Sequence, residues 1–221
     1  MNRPLLLGHR GARKYAPENT IDAFELALEH GCDGFEFDVR VTADHVPVVC
    51  HDPKFCGASV AKSSYETLLE VATPKAKQIA RLEQVLELGS RAFLNFELKV
   101  GGAEELVIQM LRNYPAKQGL IASSFLPSAV LRLHELSAEF PLGIICENRT
   151  QLARWKELPV QAVMVNRGLV TEALVEELKS SDRQVFVWTA NSPREMKKFA
   201  EMGVDGIISD DTKLLVETVK T

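Results

Sequence analysis

Residues 31–52 read GCDGFEFDVRVTADHVPVVCHD, and this stretch decides how the rest of the chain must assemble. Successive side chains on a strand point to opposite faces, so in the apolar run Gly34–Val41 the side chains of Glu36 and Asp38 share one face. Two carboxylates side by side in an apolar strand repel each other and resist burial, which calls for positive charge between them. A hard divalent cation answers that need, because Mg²⁺ and Ca²⁺ prefer carboxylate oxygens. Thr42-Ala43-Asp44-His45 then reads as a turn, followed by a second β-rich run, Val46–Cys50, that ends in His51-Asp52. A hairpin of this form carries His51 back towards the carboxylates. The plainer alternative is an edge strand whose polar face meets water. The flanking segments must decide between the two.

Working outward, strand-like and helix-like segments alternate. The strands are expected at Leu5–His9, Gly34–Val39, Ala92–Leu98, Leu120–Ser124, Leu142–Cys146, Ala162–Asn166, Gln184–Thr189 and Gly206–Ser209. Helices are expected near Thr20–His30, Leu82–Leu88, Ala103–Asn113, Ser128–Ser137, Gln151–Glu157, Glu172–Ser180, from Pro193 onward, and at Leu214–Lys220. Pro193 sits where a first helical turn tolerates proline. Short apolar strands alternating with helices imply a parallel sheet, and eight such pairs imply a closed α/β barrel, the TIM (β/α)8 fold. The count holds only if Val46–Cys50 lies in a hairpin above the barrel wall. Residues 53–80 read as irregular, so the expectation is a single domain over residues 1–221 with a β-hairpin and a short insertion, about 52–81, after the second strand. An open doubly wound sheet competes, but no glycine-rich phosphate loop follows the first strand.

A barrel places its chemistry at the carboxyl ends of its strands. Those ends carry His9-Arg10, Glu36 and Asp38, Glu97 and Lys99, Ser124-Phe125, Glu147, Asn166, Trp188 and Ser209-Asp210. Within a barrel, Glu36-x-Asp38 therefore belongs to an active-site rim rather than to a wet edge. Glu36, Asp38 and Glu97 together make an oxygen-rich metal site suited to Mg²⁺ or Ca²⁺, whereas zinc would want His or Cys. The alternative for Glu97 is a simple ion pair with Lys99, two residues on and on the same face. His9 and His51 form an acid–base pair, since imidazole titrates near working pH. Arg10 and Lys99 match the charge of a phosphate, with Arg suited to bidentate contact. Phe125 and Trp188 read equally as packing or as a substrate wall. Pro17-Glu18-Asn19-Thr20 reads as a helix start with Asn19 or Thr20 as its cap.

Composition narrows the classes further. The chain has 221 residues, 46% hydrophobic and 25% charged, with a formal net charge of −4, so nothing marks a nucleic-acid partner. No apolar run approaches membrane-spanning length, and Leu5-Leu6-Leu7 is too short for a signal-peptide core. Cys32, Cys50, Cys56 and Cys146 lack metal-binding spacing and read as free thiols, which suits a reducing cytoplasm.

The segments LLLGHRGARKYAPENTIDAFELALEHGCDGFEFDVRVTADHVPVVCHD, FLNFELK, ASSF, VFVWTAN and MGVDGIISD, in this order from residue 5 to residue 210, resemble the glycerophosphodiester phosphodiesterase family. The resemblance implies a TIM barrel that hydrolyses glycerophosphodiesters to glycerol 3-phosphate and an alcohol. It implies that Glu36, Asp38 and Glu97 bind a divalent metal. It also implies that His9 acts as base and His51 as acid, and that Arg10 and Lys99 hold phosphate. Two departures stand out. Asp44-His45 replaces the usual Asp-Gly of the hairpin turn, and Phe55-Cys56-Gly57-Ala58 replaces a leucine–arginine–threonine pattern. Two further readings use the same residues: lysophospholipase D-type cleavage of longer lipids, and a barrel that only binds a phosphorylated ligand. The first calls for an apolar groove, to which residues 53–80 offer little beyond Phe55, Tyr65 and Leu68-Leu69.

Overall fold

The computed structural model describes residues 3–72 and 78–220. Eight parallel strands close into a ring: β1 (Leu5–His9), β2 (Gly34–Val41), β6 (Phe93–Leu98), β7 (Leu120–Ser124), β8 (Leu142–Cys146), β9 (Ala162–Asn166), β10 (Gln184–Trp188) and β11 (Gly206–Ser209). Pairing of β1 with both β2 and β11 completes the closure. Helices α1 (Ile21–Glu29), α3 (Leu82–Leu86), α4 (Glu104–Asn113), α5 (Pro127–Leu136), α6 (Arg149–Leu152), α7 (Glu172–Ser180), α8 (Pro193–Glu201) and α9 (Thr212–Lys220) fall between the strands and after the last. This is a TIM barrel. The helices expected at Leu82–Leu88 and Gln151–Glu157 are shorter than their patterns suggest, each passing into a 3-10 turn at Glu87–Ser90 and Ala153–Glu157.

Strand alternation sorts the side chains into two cores. Phe35, Phe37 and Val39 of β2, and Leu94, Phe96 and Leu98 of β6, point outward beneath the helices. Phe24 on α1 stacks on Phe35 with ring centroids 4.3 Å apart, and each fully buried aromatic of this kind contributes roughly 1.5–3 kcal/mol. The opposite parity fills the barrel interior with Leu7, Ile121, Ile145, Met164, Phe186 and Ile208. Glycines make room there: a Cβ at Gly34 would lie 1.9 Å from the Phe93 carbonyl oxygen, and one at Gly206 would lie 2.2 Å from the Phe186 ring. His9, Glu36, Asp38, Glu97 and Trp188 share the interior parity, one or two steps further along their strands. They therefore gather above the apolar plug, at the carboxyl ends.

The hairpin is present. Strand β3 (Pro47–Val49) pairs antiparallel with the end of β2, outside the ring. His45 occupies the turn at φ +61°, the left-handed conformation that the more usual glycine adopts without strain. The segment read as irregular proves more ordered than that: β4 (Lys54–Phe55) pairs with β5 (Ala58–Ser59), and α2 spans Tyr65–Ala72. These elements bury Val60, Leu68 and Ile79 against Val48 and Cys50 of the hairpin. This satellite core explains the order, because scattered apolar residues that look unremarkable in sequence converge on the outer face of β3. Residues 73–77 of the expected insertion lie outside the described residues.

Candidate functional site

Register fixes the first relationships. His9 is the cross-strand partner of Glu36, and Asp38 is that of Glu97. Each of Glu36, Asp38 and Glu97 is buried, and one carboxylate oxygen from each lies within 4.8 Å of the others. Lys99 donates to Glu97 Oε1 at 2.7 Å and to Asp38 Oδ1 at 3.0 Å. The ion pair weighed against a metal role for Glu97 is therefore real, yet it leaves room for both. Arg10 Nε lies 3.2 Å from Asp38 Oδ2, out of line for a hydrogen bond, while its Nη1 donates to Glu18 Oε1 at 2.8 Å.

The cluster is short of positive charge. Three carboxylates face Arg10 and Lys99, and Arg10 also serves Glu18. Among the described residues, Glu36 receives only the Arg10 backbone N–H at 3.0 Å and the distant His9 Nε2 at 3.9 Å. Burial, reinforced by Asp38 and Glu97, pushes the Glu36 pKa well above the carboxylate range. Burial likewise lifts Glu97 to about 7, with Lys99 opposing and Asp38 assisting. Asp38 goes the other way, because Lys99, Arg10 and the Asn19 amide together outweigh its burial. A buried oxygen-donor set with surplus negative charge fits a divalent cation, and the absence of His or Cys in it matches Mg²⁺ or Ca²⁺ better than zinc.

His9 and His51 line the same cavity of about 250 Å³, together with Arg10, the three carboxylates and Lys99. The far wall is apolar and includes Phe125 and Trp188, whose rings meet edge-to-face at 5.8 Å. The indole N–H of Trp188 is committed to the Met164 carbonyl, so what it offers the cavity is surface rather than a hydrogen bond. Phe125 also lies beneath the Lys99 ammonium, 5.8 Å from its ring centre. The structure thus brings every expected site residue to one mouth of the barrel.

Several participants are given no site role by the sequence reading. Asp210 accepts from His9 Nδ1 at 2.6 Å, which directs Nε2 of that ring towards Glu36 and the cavity. Asn191 holds Asp210 in turn, donating to its Oδ2 at 2.6 Å and accepting its backbone N–H at 3.0 Å. The available signal was parity: Asp210 follows β11 on the interior register, the register Glu97 holds near the end of β6. Thr20 alone caps α1, accepting from Ala23 N. Asn19 instead takes φ +59° and donates to Asp38 Oδ2 at 2.8 Å. Arg10 is also left-handed, at φ +54°, a conformation seldom held by non-glycine residues and found mostly where function over-determines it. Glu18, read only as part of a helix start, ties Arg10 to Arg13.

Comparison with known proteins agrees with this geometry. The sequence pattern of the "Glycerophosphoryl diester phosphodiesterase family" matches residues 9–214. A glycerophosphodiester phosphodiesterase of Caldanaerobacter subterraneus subsp. tengcongensis is 30% identical, over 99% of this chain and 98% of that protein. Among solved structures, the glycerophosphodiester phosphodiesterase of Thermotoga maritima superposes with a TM-score of 0.83 at 27% identity, covering 98% of this chain and 99% of that one. A phosphodiesterase of Oleispira antarctica, solved in complex with the product sn-glycerol-3-phosphate, shares the fold with a TM-score of 0.87 at 24% identity, over 99% and 98% of the two chains. With the match spanning nearly the whole chain, from the first histidine to the final helix, this protein belongs to the glycerophosphoryl diester phosphodiesterase family.

Proposed function

We propose that this protein hydrolyses glycerophosphodiesters to glycerol 3-phosphate and an alcohol. The observation that carries the reading is the meeting of three buried carboxylates, two cations and two imidazoles on one cavity. Glu36, Asp38 and Glu97 would hold Mg²⁺ or Ca²⁺, which when bound polarises the phosphoryl oxygens and neutralises their charge. Arg10 and Lys99 bind and orient the phosphate through charge-assisted hydrogen bonds. With Nδ1 engaged by the Asp210 carboxylate, the His9 Nε2 lone pair faces the cavity as a general base.

His51 is assigned the acid that protonates the leaving alcohol. Burial pulls its pKa down, against the pull of Asp38 and Asp52, which by itself opposes that role. A phosphodiester anion seated at Arg10 and Lys99 adds negative charge beside the imidazole and raises its proton affinity. The buried free thiols Cys32, Cys50 and Cys146 suit a reducing cytoplasm, and no helix among the described residues is long and apolar enough to cross a membrane.

The test is release of glycerol 3-phosphate from purified protein given glycerophosphocholine with Mg²⁺ or Ca²⁺. Chelation should abolish it, and His9→Ala or His51→Ala should each lower turnover on the order of a hundredfold or more. Near-normal turnover of His51→Ala removes that residue from the mechanism. Faster turnover of lysophosphatidylcholine than of glycerophosphocholine would move the assignment to a lysophospholipase D. No turnover of any headgroup would leave a barrel that only binds phosphate ligands.

A further inference from the structure

A second cavity, of about 530 Å³, lies beside the first, between the loop leading into α1, the end of the β2–β3 hairpin and the β4–β5 turn. His51 lines both cavities, whereas His9 lines only the barrel mouth. In an in-line displacement at phosphorus the entering and leaving oxygens lie on opposite sides, so the group that protonates the leaving oxygen marks the side from which the alcohol departs. We infer that the second cavity is the leaving-alcohol subsite, reached past His51, and that it takes a charged headgroup while the glycerol moiety stays in the barrel mouth. This rests on the phosphodiesterase reading above and on the acid role given to His51.

The lining supports that division. The barrel-mouth cavity, at about 250 Å³, has room for roughly eight waters at 30 Å³ each, and its remote wall is apolar. The second cavity is rimmed by Asp22 and Lys54, neither of which makes an ion pair among the described residues, with Phe55 beside them. Glu18, on the same wall, is already bound to Arg10 and Arg13, and Asp52 to His51 Nδ1. Asp22 and Lys54 are therefore the charges left to meet a charged headgroup. Lys54 and Phe55 form β4, and Phe55-Cys56 opens the stretch where this chain departs from the family pattern.

The test compares kcat/KM for glycerophosphocholine, whose leaving alcohol is cationic, with that for glycerophosphoglycerol, whose leaving alcohol is uncharged. A unit charge about 7 Å away in water changes binding about threefold. Lys54→Glu, a change of two units, should raise the choline-to-glycerol ratio about tenfold, and Asp22→Asn should lower it about threefold. Both residues lie at a rim without ion-pair partners among the described residues, and a melting curve of each variant confirms the fold. Ratios that stay within 1.5-fold of wild type in both variants, with turnover continuing, overturn the subsite but leave the phosphodiesterase reading intact. Wild-type protein that turns over neither substrate overturns the reading and the subsite together.

Discussion

Replacing Asp210 by Asn tests how His9 is prepared for proton transfer. The substitution keeps the volume and the Asn191 contacts nearly intact, but it removes the charge 2.6 Å from His9 Nδ1. Asp210 is ionised at neutral pH: burial pushes its pKa up, and the hydrogen bond and charge of His9, with Asn191 and Arg13, more than reverse that. A carboxylate and an imidazolium about 4 Å apart attract by about 4 kcal/mol at an effective dielectric constant of 20. The Asp210 side chain is 31% exposed, and solvent screening leaves roughly 2–3 kcal/mol of that for the protonated His9 that forms in the transition state. At 1.36 kcal/mol per decade, kcat should fall about 30- to 150-fold. An amide that donates to Nδ1 also favours the tautomer with hydrogen on Nε2, which removes the base outright. The assay is steady-state release of glycerol 3-phosphate at saturating metal, with KM expected to change far less than kcat. An Asp210→Asn protein that folds normally and keeps more than a third of wild-type kcat refutes this account of His9.

Three further outcomes are expected. Glu36→Gln removes a carboxyl whose charge burial, Asp38 and Glu97 oppose, so the metal-free variant should melt no lower than wild type; the rise in Tm that wild type shows on adding Mg²⁺ or Ca²⁺ should vanish, and a rise that persists argues against Glu36 as a ligand. Asp33 accepts from Arg3 and the Leu6 N–H, and these outweigh burial to hold its pKa below the ordinary value. Its contribution is present above the unfolded pKa of about 3.9 and is lost as pH falls through the lower folded value. Asp33→Asn should therefore be less stable than wild type in urea melts at pH 7, by a margin that narrows below about pH 4, and a constant margin would contradict this. Gly34→Ala drives a methyl group into the Phe93 carbonyl and should cost about 4 kcal/mol or more, read as loss of soluble protein or a collapsed denaturant midpoint, whereas a near-wild-type midpoint would show that β2 and β6 can part.

Much of this protein is decided locally and is visible in its sequence. The alternation of short apolar strands with helices defines the ring, because period-2 and period-3.6 burial patterns leave few ways to cover both faces of a parallel sheet. The spacing of Glu36 and Asp38 on one strand, and of Glu97 and Lys99 at the end of another, states which side chains share a face before any neighbour is known. What sequence could not supply is the pairing across the closure. His9 stands 201 residues from Asp210, and only the contact of β1 with β11 brings them to 2.6 Å. Asn19 looked like a cap because capping is a local property; its bond to Asp38 depends on the loop after β1 folding over the end of β2. The order of the segment after the hairpin likewise came from packing, since Val60, Leu68 and Ile79 gain a core only when β3 offers them a face. Nearest-neighbour chemistry was legible along the chain, while the partners that orient the histidine and the carboxylates were chosen by the closure of the barrel.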